Sequence, residues 1–291
     1  KKTEKKIIKP KKGEKTVQVK TMTLQDLNFA LEWADSEGWN PGEFDAEAFY
    51  YTDPQGFFIG ELSGMPIGCI SAVRYNDDYG FIGFHIIAEE YRKKWYGAYL
   101  ARVAYNHLGN RNFGINGVME KLDTYVKLGF IYSHRNTRFL VRGKGVMHKE
   151  LLEIDESNFN KIVEYDKSVF LHNRALFLDY WINKSESGSL CFMEKDKVRG
   201  YGVIRKCREG FKIAPLFADS FDIAQKLLCS LLTYTRNEDI YIDIPHNNKF
   251  AAAFIRANKM KKVFDSVRMY SKEIPKIPTS KVFGLTSYEL G

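Results

Sequence analysis

Apolar residues recur at helical spacing through TLQDLNFALEWADSEG (23–38) and again through DAEAFYY (45–51), which predicts two helices near the start of the chain. GFFIGEL, PIGCISAVRY and YGFIGFHII (56–62, 66–75 and 79–87) are short apolar runs punctuated by glycine, and they read as strands, the first two forming a hairpin. A helix over 95–108, a strand NFGING, a helix ending at KLGF (127–130) and a strand NTRFLVRG follow. Helices placed between strands predict an α/β (α+β) architecture.

The second half repeats this order. At an offset of 130 residues Gly80-Phe81 meets Gly210-Phe211, Gly129-Phe130 meets Lys259-Met260, and Thr137-Arg138-Phe139 meets Val267-Arg268-Met269. IGCISAVR lies over RGYGVIR with a drift of one or two positions. One register held through strand, helix and strand, at a period too long for a solenoid, signals a tandem duplication with two mixed central sheets flanked by helices. The polar, glycine-containing link VRGKGVMHKE (141–150) separates the halves, giving domains over 16–143 and 147–291.

Composition narrows the function classes. The chain has 291 residues, 44% apolar, enough to bury a core in each half. Its net charge of +8 is concentrated: residues 1–15 carry eight Lys and two Glu, leaving the rest about +2. That stretch reads as a flexible Lys-rich tail, and nucleic-acid binding is not the expected role. Cys69, Cys191, Cys207 and Cys229 show no Cys-x-x-Cys spacing, so neither a disulfide framework nor a metal site is expected, only reduced thiols. There is no run of eighteen apolar residues and no hydrophobic secretory segment, so an intracellular, cytoplasmic protein without a membrane partner is expected.

The stretch EEYRKKWYGAYL (89–100) carries the candidate chemistry. A turn feeding a helix presents unpaired backbone N–H groups and the positive end of the helix dipole, which together suit a diphosphate. Arg92, Lys93 and Lys94 add charge. Residues 92–97 alone are equally compatible with an ordinary basic strand-to-helix connection.

The order of elements, with this turn at the end of the fourth strand, resembles the GNAT acetyltransferase family in both halves. That family marks its acetyl-CoA loop with Arg/Gln-x-x-Gly-x-Gly/Ala, against which this chain has Arg92, Lys93, Lys94, Trp95, Tyr96, Gly97 and then Ala98, with Trp95 at the first glycine position. EGWNPG, DPQGFFIGEL, PIGCISAVRY, PLFAD and VFGLTSYELG carry a closer resemblance to the subgroup that joins a GNAT domain to a YitH/HolE-type GNAT-like domain.

The resemblance implies acetyl-CoA as cofactor, an amine acceptor and direct attack of the amine on the thioester. It implies that the pantetheine arm lies along the backbone of Phe84, His85, Ile86 and Ile87 in the fourth strand, the diphosphate at Arg92 to Ala98. Tyr125, four residues before Gly129-Phe130, stands where the family places the acid that protonates the departing thiolate. The carboxylate that many members carry early in the fourth strand is Phe81 here. Side chains alternate along this strand, so His85 and Phe81 share a face, and His85 is then the first candidate base and Asp45 the second; a core histidine and a helix cap are the competing roles. Trp39 and Asn40 of EGWNPG either line the acceptor pocket or simply end a helix.

The family's Asn-x-x-Ala, whose Asn reaches toward the pantetheine, is Val118 and Lys121 in the first half but Asn248 and Ala251 in the second. The second half has ADSFDIAQKL where the loop should be, with Asp219 and Asp222 to repel a diphosphate. At most one cofactor site is therefore expected, in the first half. The departures at Trp95, Phe81 and Val118 support the alternative of a decayed, non-catalytic acyl-CoA-binding or scaffold protein.

Overall fold

A computed structural model describes residues 17–183, 187–235 and 238–291, so the Lys-rich tail lies outside the described residues. The first half contains β1 (Val17–Thr21), α1 (Leu24–Ser36), α2 (Asp45–Thr52), β2 (Phe57–Leu62), β3 (Met65–Arg74), β4 (Tyr79–Ile87), α3 (Tyr96–Leu108), β5 (Asn112–Val118), α4 (Leu122–Lys127) and β6 (Ile131–Val141). The second contains β7 (Leu151–Glu153), α5 (Phe159–Phe170), α6 (Ala175–Leu178), β8 (Ser187–Glu194), β9 (Lys197–Lys206), β10 (Phe211–Ala218), α7 (Phe221–Leu231), β11 (Ile240–Pro245), α8 (Ala251–Ala257), β12 (Lys261–Tyr270) and a final short β13 (Val282–Gly284).

Local chemistry explains the boundaries. Thr23 and Asp26 form a reciprocal capping box that starts α1. Ser220 caps α7 by accepting from the Ile223 N–H at 3.3 Å. α3 buries Tyr96, Leu100, Ala104 and Leu108, an i, i+4 stripe, against the sheet. Cys69, Cys191 and Cys207 are buried free thiols.

The two central sheets implied by the duplication are fused into one. Strand order across the described residues is β1-β2-β3-β4-β5-β12-β6-β11-β10-β9-β8-β7, with β13 set against β10. The fusion works by exchange: β12, from the second half, pairs with β5 of the first, while β6, from the first half, pairs with β11 of the second. β6 and β12 pair with each other at the centre. A buried bidentate ion pair spans one of these seams, Arg138 Nε to Asp243 Oδ1 at 2.7 Å and Arg138 Nη2 to Asp243 Oδ2 at 2.8 Å. A continuous apolar core then runs between the halves, from Phe49 and Phe84 to Phe177 and Trp181, with Phe49 stacked on Trp181 at 5.7 Å.

Candidate active site

β4 and β5 run parallel and paired from Tyr79–Asn112 to Ile82–Ile115, then separate. β5 continues along β12 through Asn116, Gly117 and Val118, while β4 keeps to β3. Between the Cys69 and Ser71 pairings β4 carries one extra residue, and Phe84 takes φ +47°. This is a β-bulge, which re-aims everything after it. Gly83 donates its N–H to Ser71 Oγ and the Phe84 carbonyl accepts from Cys69 Sγ. An opening therefore forms where the resemblance places the pantetheine, at Phe84, Ile86 and Ile87.

The bulge corrects one expectation. His85 does not share a face with Phe81: it turns to α3, where its Nε2 lies 3.0 Å from the Gly97 carbonyl and both His85 and Ile87 border Gly97. Phe81 faces the other way, under the Arg268 guanidinium. His85 keeps exposed surface, yet the protein packed around its ring lowers its affinity for a proton, against the pull of the Gly97 carbonyl, and a neutral ring would donate from Nε2. His85 thus braces β4 against the first turn of α3.

The turn itself accommodates Trp95 without a glycine. Its only positive φ among 92–98 is at Lys93, +59°, whereas Trp95 is already helical at φ −69°, ψ −8°. The indole packs on Tyr96 and Tyr99, centroids 4.9 and 5.4 Å away, in a cluster with Val17 and Ile67. The first turn of α3, from Tyr96 through Gly97 and Ala98, keeps the unpaired N–H groups common to every helix start. The basic residues divide: Arg92 is tied to the Ile87 carbonyl at 2.8 Å and paired with Glu37, Lys94 reaches the Glu90 carbonyl and lies over the rings of Tyr91 and Tyr96, and Lys93 is exposed.

Tyr125 sits on α4 with its ring against Gly117, where a Cβ would come within 2.2 Å of Cε2, so glycine is required there. Phe130 packs on the same ring at 6.3 Å. Burial pushes the phenol pKa up, partly offset by a hydrogen bond with the Val118 backbone, so the hydroxyl keeps its proton at neutral pH. A protonated phenol at the mouth of the β4–β5 opening is a competent acid.

Asp45, Trp39 and Asn40 turn out to join the halves. Asp45 is 3% exposed, accepts from the Gly42 N–H at 2.9 Å and forms a buried ion pair with Arg205 of β9. That pair, not a substrate proton, is what its carboxylate serves. Asn40, at φ +51°, exchanges two hydrogen bonds of 2.9 Å with the Glu209 backbone, and its own carbonyl accepts from Lys212 Nζ. The Trp39 carbonyl accepts from Arg138 at 2.8 Å while its ring packs toward Phe84. The amide expected to face an acceptor is thus consumed by the second half.

In the second half the equivalent opening is closed. β10 and β11 pair from Phe211–Ile240 to Ile213–Ile242, and β13 then takes up β10 at Leu216–Gly284 and Phe217–Val282, while Leu285 N–H donates to the Asp243 carbonyl. Asn248 donates through Nδ2 to the Val282 carbonyl at 2.8 Å. A peptide carbonyl of the chain occupies the position at which the resemblance puts a pantetheine amide.

One candidate escaped the sequence reading. Beyond β13 the chain crosses to the first half and lays the backbone of Glu289 on Gly83, so closely that a Cβ at Gly83 would lie 2.1 Å from the Glu289 carbonyl. Tyr75 Oη and Asn116 Nδ2 hold this segment by the carbonyls of Leu290 and Tyr288. Glu289 is 8% exposed, and its carboxylate has no ion-pair partner among the described residues. Only its field reaches Arg138, Arg205 and Lys212. Its one signal in the sequence is a carboxylate in an otherwise uncharged terminal block, VFGLTSYELG.

Comparison with known proteins gives two family matches, one to each half: residues 24–130 match the acetyltransferase (GNAT) family and residues 162–284 an acetyltransferase (GNAT) domain. The chain belongs to the GNAT acetyltransferase family. It is a tandem GNAT protein and an acyltransferase by family. It is similar to a holothin acyltransferase of Pseudoalteromonas sp. (strain SANK 73390), 26% identical over 94% of each chain. In fold it resembles a putative acetyltransferase from Pyrococcus horikoshii, with a TM-score of 0.79 and 20% identity over 94% of this chain and 96% of that one. It also resembles a tandem GNAT protein from the clavulanic acid biosynthesis pathway, with a TM-score of 0.61 and 10% identity over 90% and 100%. Among the described residues of this tandem GNAT no helix is long and apolar enough to cross a membrane, and no cluster of three or more metal-ligating side chains occurs.

Proposed function

We propose that the chain is an N-acetyltransferase that takes an acetyl group from acetyl-CoA to an amine, with one cofactor site, in the domain over residues 16–143. The observation that carries this reading is the asymmetry between the halves. The β10–β11 opening is filled by β13, whereas among the described residues no strand pairs into the β4–β5 opening, where the 288–290 segment only rests on Gly83 and is held by Asn116, and α3 begins beside it. The residues present fit the cofactor: the N–H groups of Tyr96, Gly97 and Ala98 would hold the diphosphate, assisted by Lys93, and the backbone beyond the bulge would hold the pantetheine. Acetyl-CoA bound there would supply the activated acyl group.

Around that position the chain's residues divide the proton work. Tyr125 holds a proton available to a leaving thiolate. Glu289, delivered beside the bulge by the C-terminal segment, would draw in the acceptor ammonium and take its proton, the role that Phe81 vacates. Similarity to a holothin acyltransferase over nearly the whole chain supports acyl transfer.

The test is calorimetric titration with acetyl-CoA of the wild type and Ala98→Asp. An aspartate in the first turn favours the helix yet faces the diphosphate. One site per chain, weakened about tenfold or more by the substitution, is expected. Two sites, no binding, or indifference to Ala98→Asp would overturn the reading.

A further inference from the structure

Between the halves lies a cavity of ≈ 90 Å³ that the acyl-transfer reading does not use. Tyr79 of the first half borders it on one side, and Val169, Phe170, Phe217, Ile277 and Leu285 of the second half on the other. A close-packed interior leaves few voids of this size, because each lining atom without a neighbour forfeits its dispersion contacts. An engineered apolar cavity of roughly 150 Å³ holds benzene, so this one suits a molecule of about four heavy atoms.

The polar groups on the wall are already engaged with protein. Arg268, the one charged side chain among the described lining residues, donates from Nε to Asn116 Oδ1 at 2.9 Å and bonds the Tyr79 hydroxyl, while Gly291 closes that side against the Phe81 ring. His134 is held by Ser133 and Asn247 at 2.9 and 3.1 Å. His172 stacks on Tyr79 at 4.4 Å, with a ring nitrogen 3.2 Å from the Asn76 amide. The Thr286 hydroxyl accepts from Arg174 at 2.8 Å, and the Thr279 hydroxyl donates to the Asn247 carbonyl at 3.3 Å. A water molecule needs about two to four polar partners to be held in a cavity, and here it would compete with bonds already made. A charged ligand would lose its hydration and meet no free counter-charge. An uncharged apolar molecule gives up no hydrogen bond on entering, and it covers aromatic and aliphatic surface.

We propose that this cavity binds a small, uncharged, hydrocarbon-like molecule, seated on Phe170, Phe217 and Ile277. Touching both halves, the bound molecule stabilises their union in proportion to its occupancy. The site lies outside the cofactor opening and does not depend on catalysis.

Xenon NMR on the full chain without acetyl-CoA tests it. Ile277 is half-buried in the loop between β12 and β13, so substitutions there spare the strands. With rising protein concentration the xenon resonance is expected to shift further for the wild type than for Ile277→Trp, which fills the apolar end and leaves every polar group on the wall in place. Cyclopropane should displace xenon and raise the melting temperature, whereas ethylene glycol, similar in size but polar, should do neither at the same concentration. Ile277→Ala, which enlarges the space, should take up benzene at least about tenfold more tightly than the wild type, read by calorimetry. A wild-type shift no larger than that of Ile277→Trp, displacement by ethylene glycol as well as by cyclopropane, or benzene binding unchanged by Ile277→Ala would overturn the proposal.

Discussion

Replacing Arg138 by Met should cost far more stability than replacing its counterpart Arg268 by Met. Arg138 and Asp243 are each 2% exposed, joined by two hydrogen bonds of 2.7 and 2.8 Å, and Arg138 holds the Trp39 carbonyl with a third at 2.8 Å. Burial alone would raise the Asp243 pKa, but the charge and hydrogen bonds of Arg138 outweigh it and keep the carboxyl below its usual range. Removing the arginine leaves a buried carboxylate that has lost its bidentate partner and keeps only the more distant charges of Lys212 and Arg205 and the Tyr288 hydroxyl, a loss of about 3–5 kcal/mol. At roughly 2–4 °C per kcal/mol for a chain of this size, the melting temperature should fall by roughly 6–20 °C. Arg268→Met abandons no carboxylate and should cost less than about 1.5 kcal/mol, the net worth of one hydrogen bond. Urea unfolding followed at 222 nm measures both, and adding Asp243→Leu to Arg138→Met should restore part of the loss, because the orphaned charge is gone. Equal losses for the two arginines, or no recovery in the double variant, would refute the argument that ion pairing at the seam is the source.

Other outcomes follow from the site. Tyr125→Phe should lower kcat about a hundredfold with little change in acetyl-CoA affinity, read by steady-state kinetics beside calorimetry; equal kcat would remove the acid role. Trp95→Gly should leave acetyl-CoA affinity unchanged, since the indole packs on Tyr96 and Tyr99, while reducing thermal stability; a gain in affinity would show that the ring obstructs the turn. His134 is pushed down to about 3 by burial, with the charge of Arg268 contributing. The unfolded chain takes that proton near pH 6.5 and the folded chain resists it, so stability is full above that pH and drains away as pH falls toward 3. His134→Gln should flatten urea midpoints between those limits, and an unchanged slope would show that another group titrates.

The duplication was legible because glycine and aromatic positions repeat at one offset, and Tyr125 and Asn248 could be placed by counting back from Gly129-Phe130 and its counterpart. Strand exchange was not legible, because the pattern of β6 is the same whether it pairs with its own half or the other. His85 was misassigned to the Phe81 face because one extra residue at Phe84 reverses the alternation, and a bulge on a phenylalanine leaves no glycine to announce it. Asp45 and Asn40 look identical in sequence whether they face a ligand or another domain. Glu289 reaches Gly83 across more than two hundred residues, a contact that local periodicity does not encode.

The exchange of β6 and β12 also shapes how this chain comes into being. Val118 meets Ser266 about 150 residues later, roughly 10–30 s of ribosomal synthesis. Until then the first half emerges with β5 lacking its outer neighbour, an open edge able to recruit any passing strand. In the folded chain neither half completes its own sheet: cutting the link near residue 145 and producing the pieces separately would deprive β5 of β12 and β11 of β6. The same exchange, made between two chains rather than within one, would give a swapped dimer, so a homologous half from another chain is the neighbour best matched to each open edge.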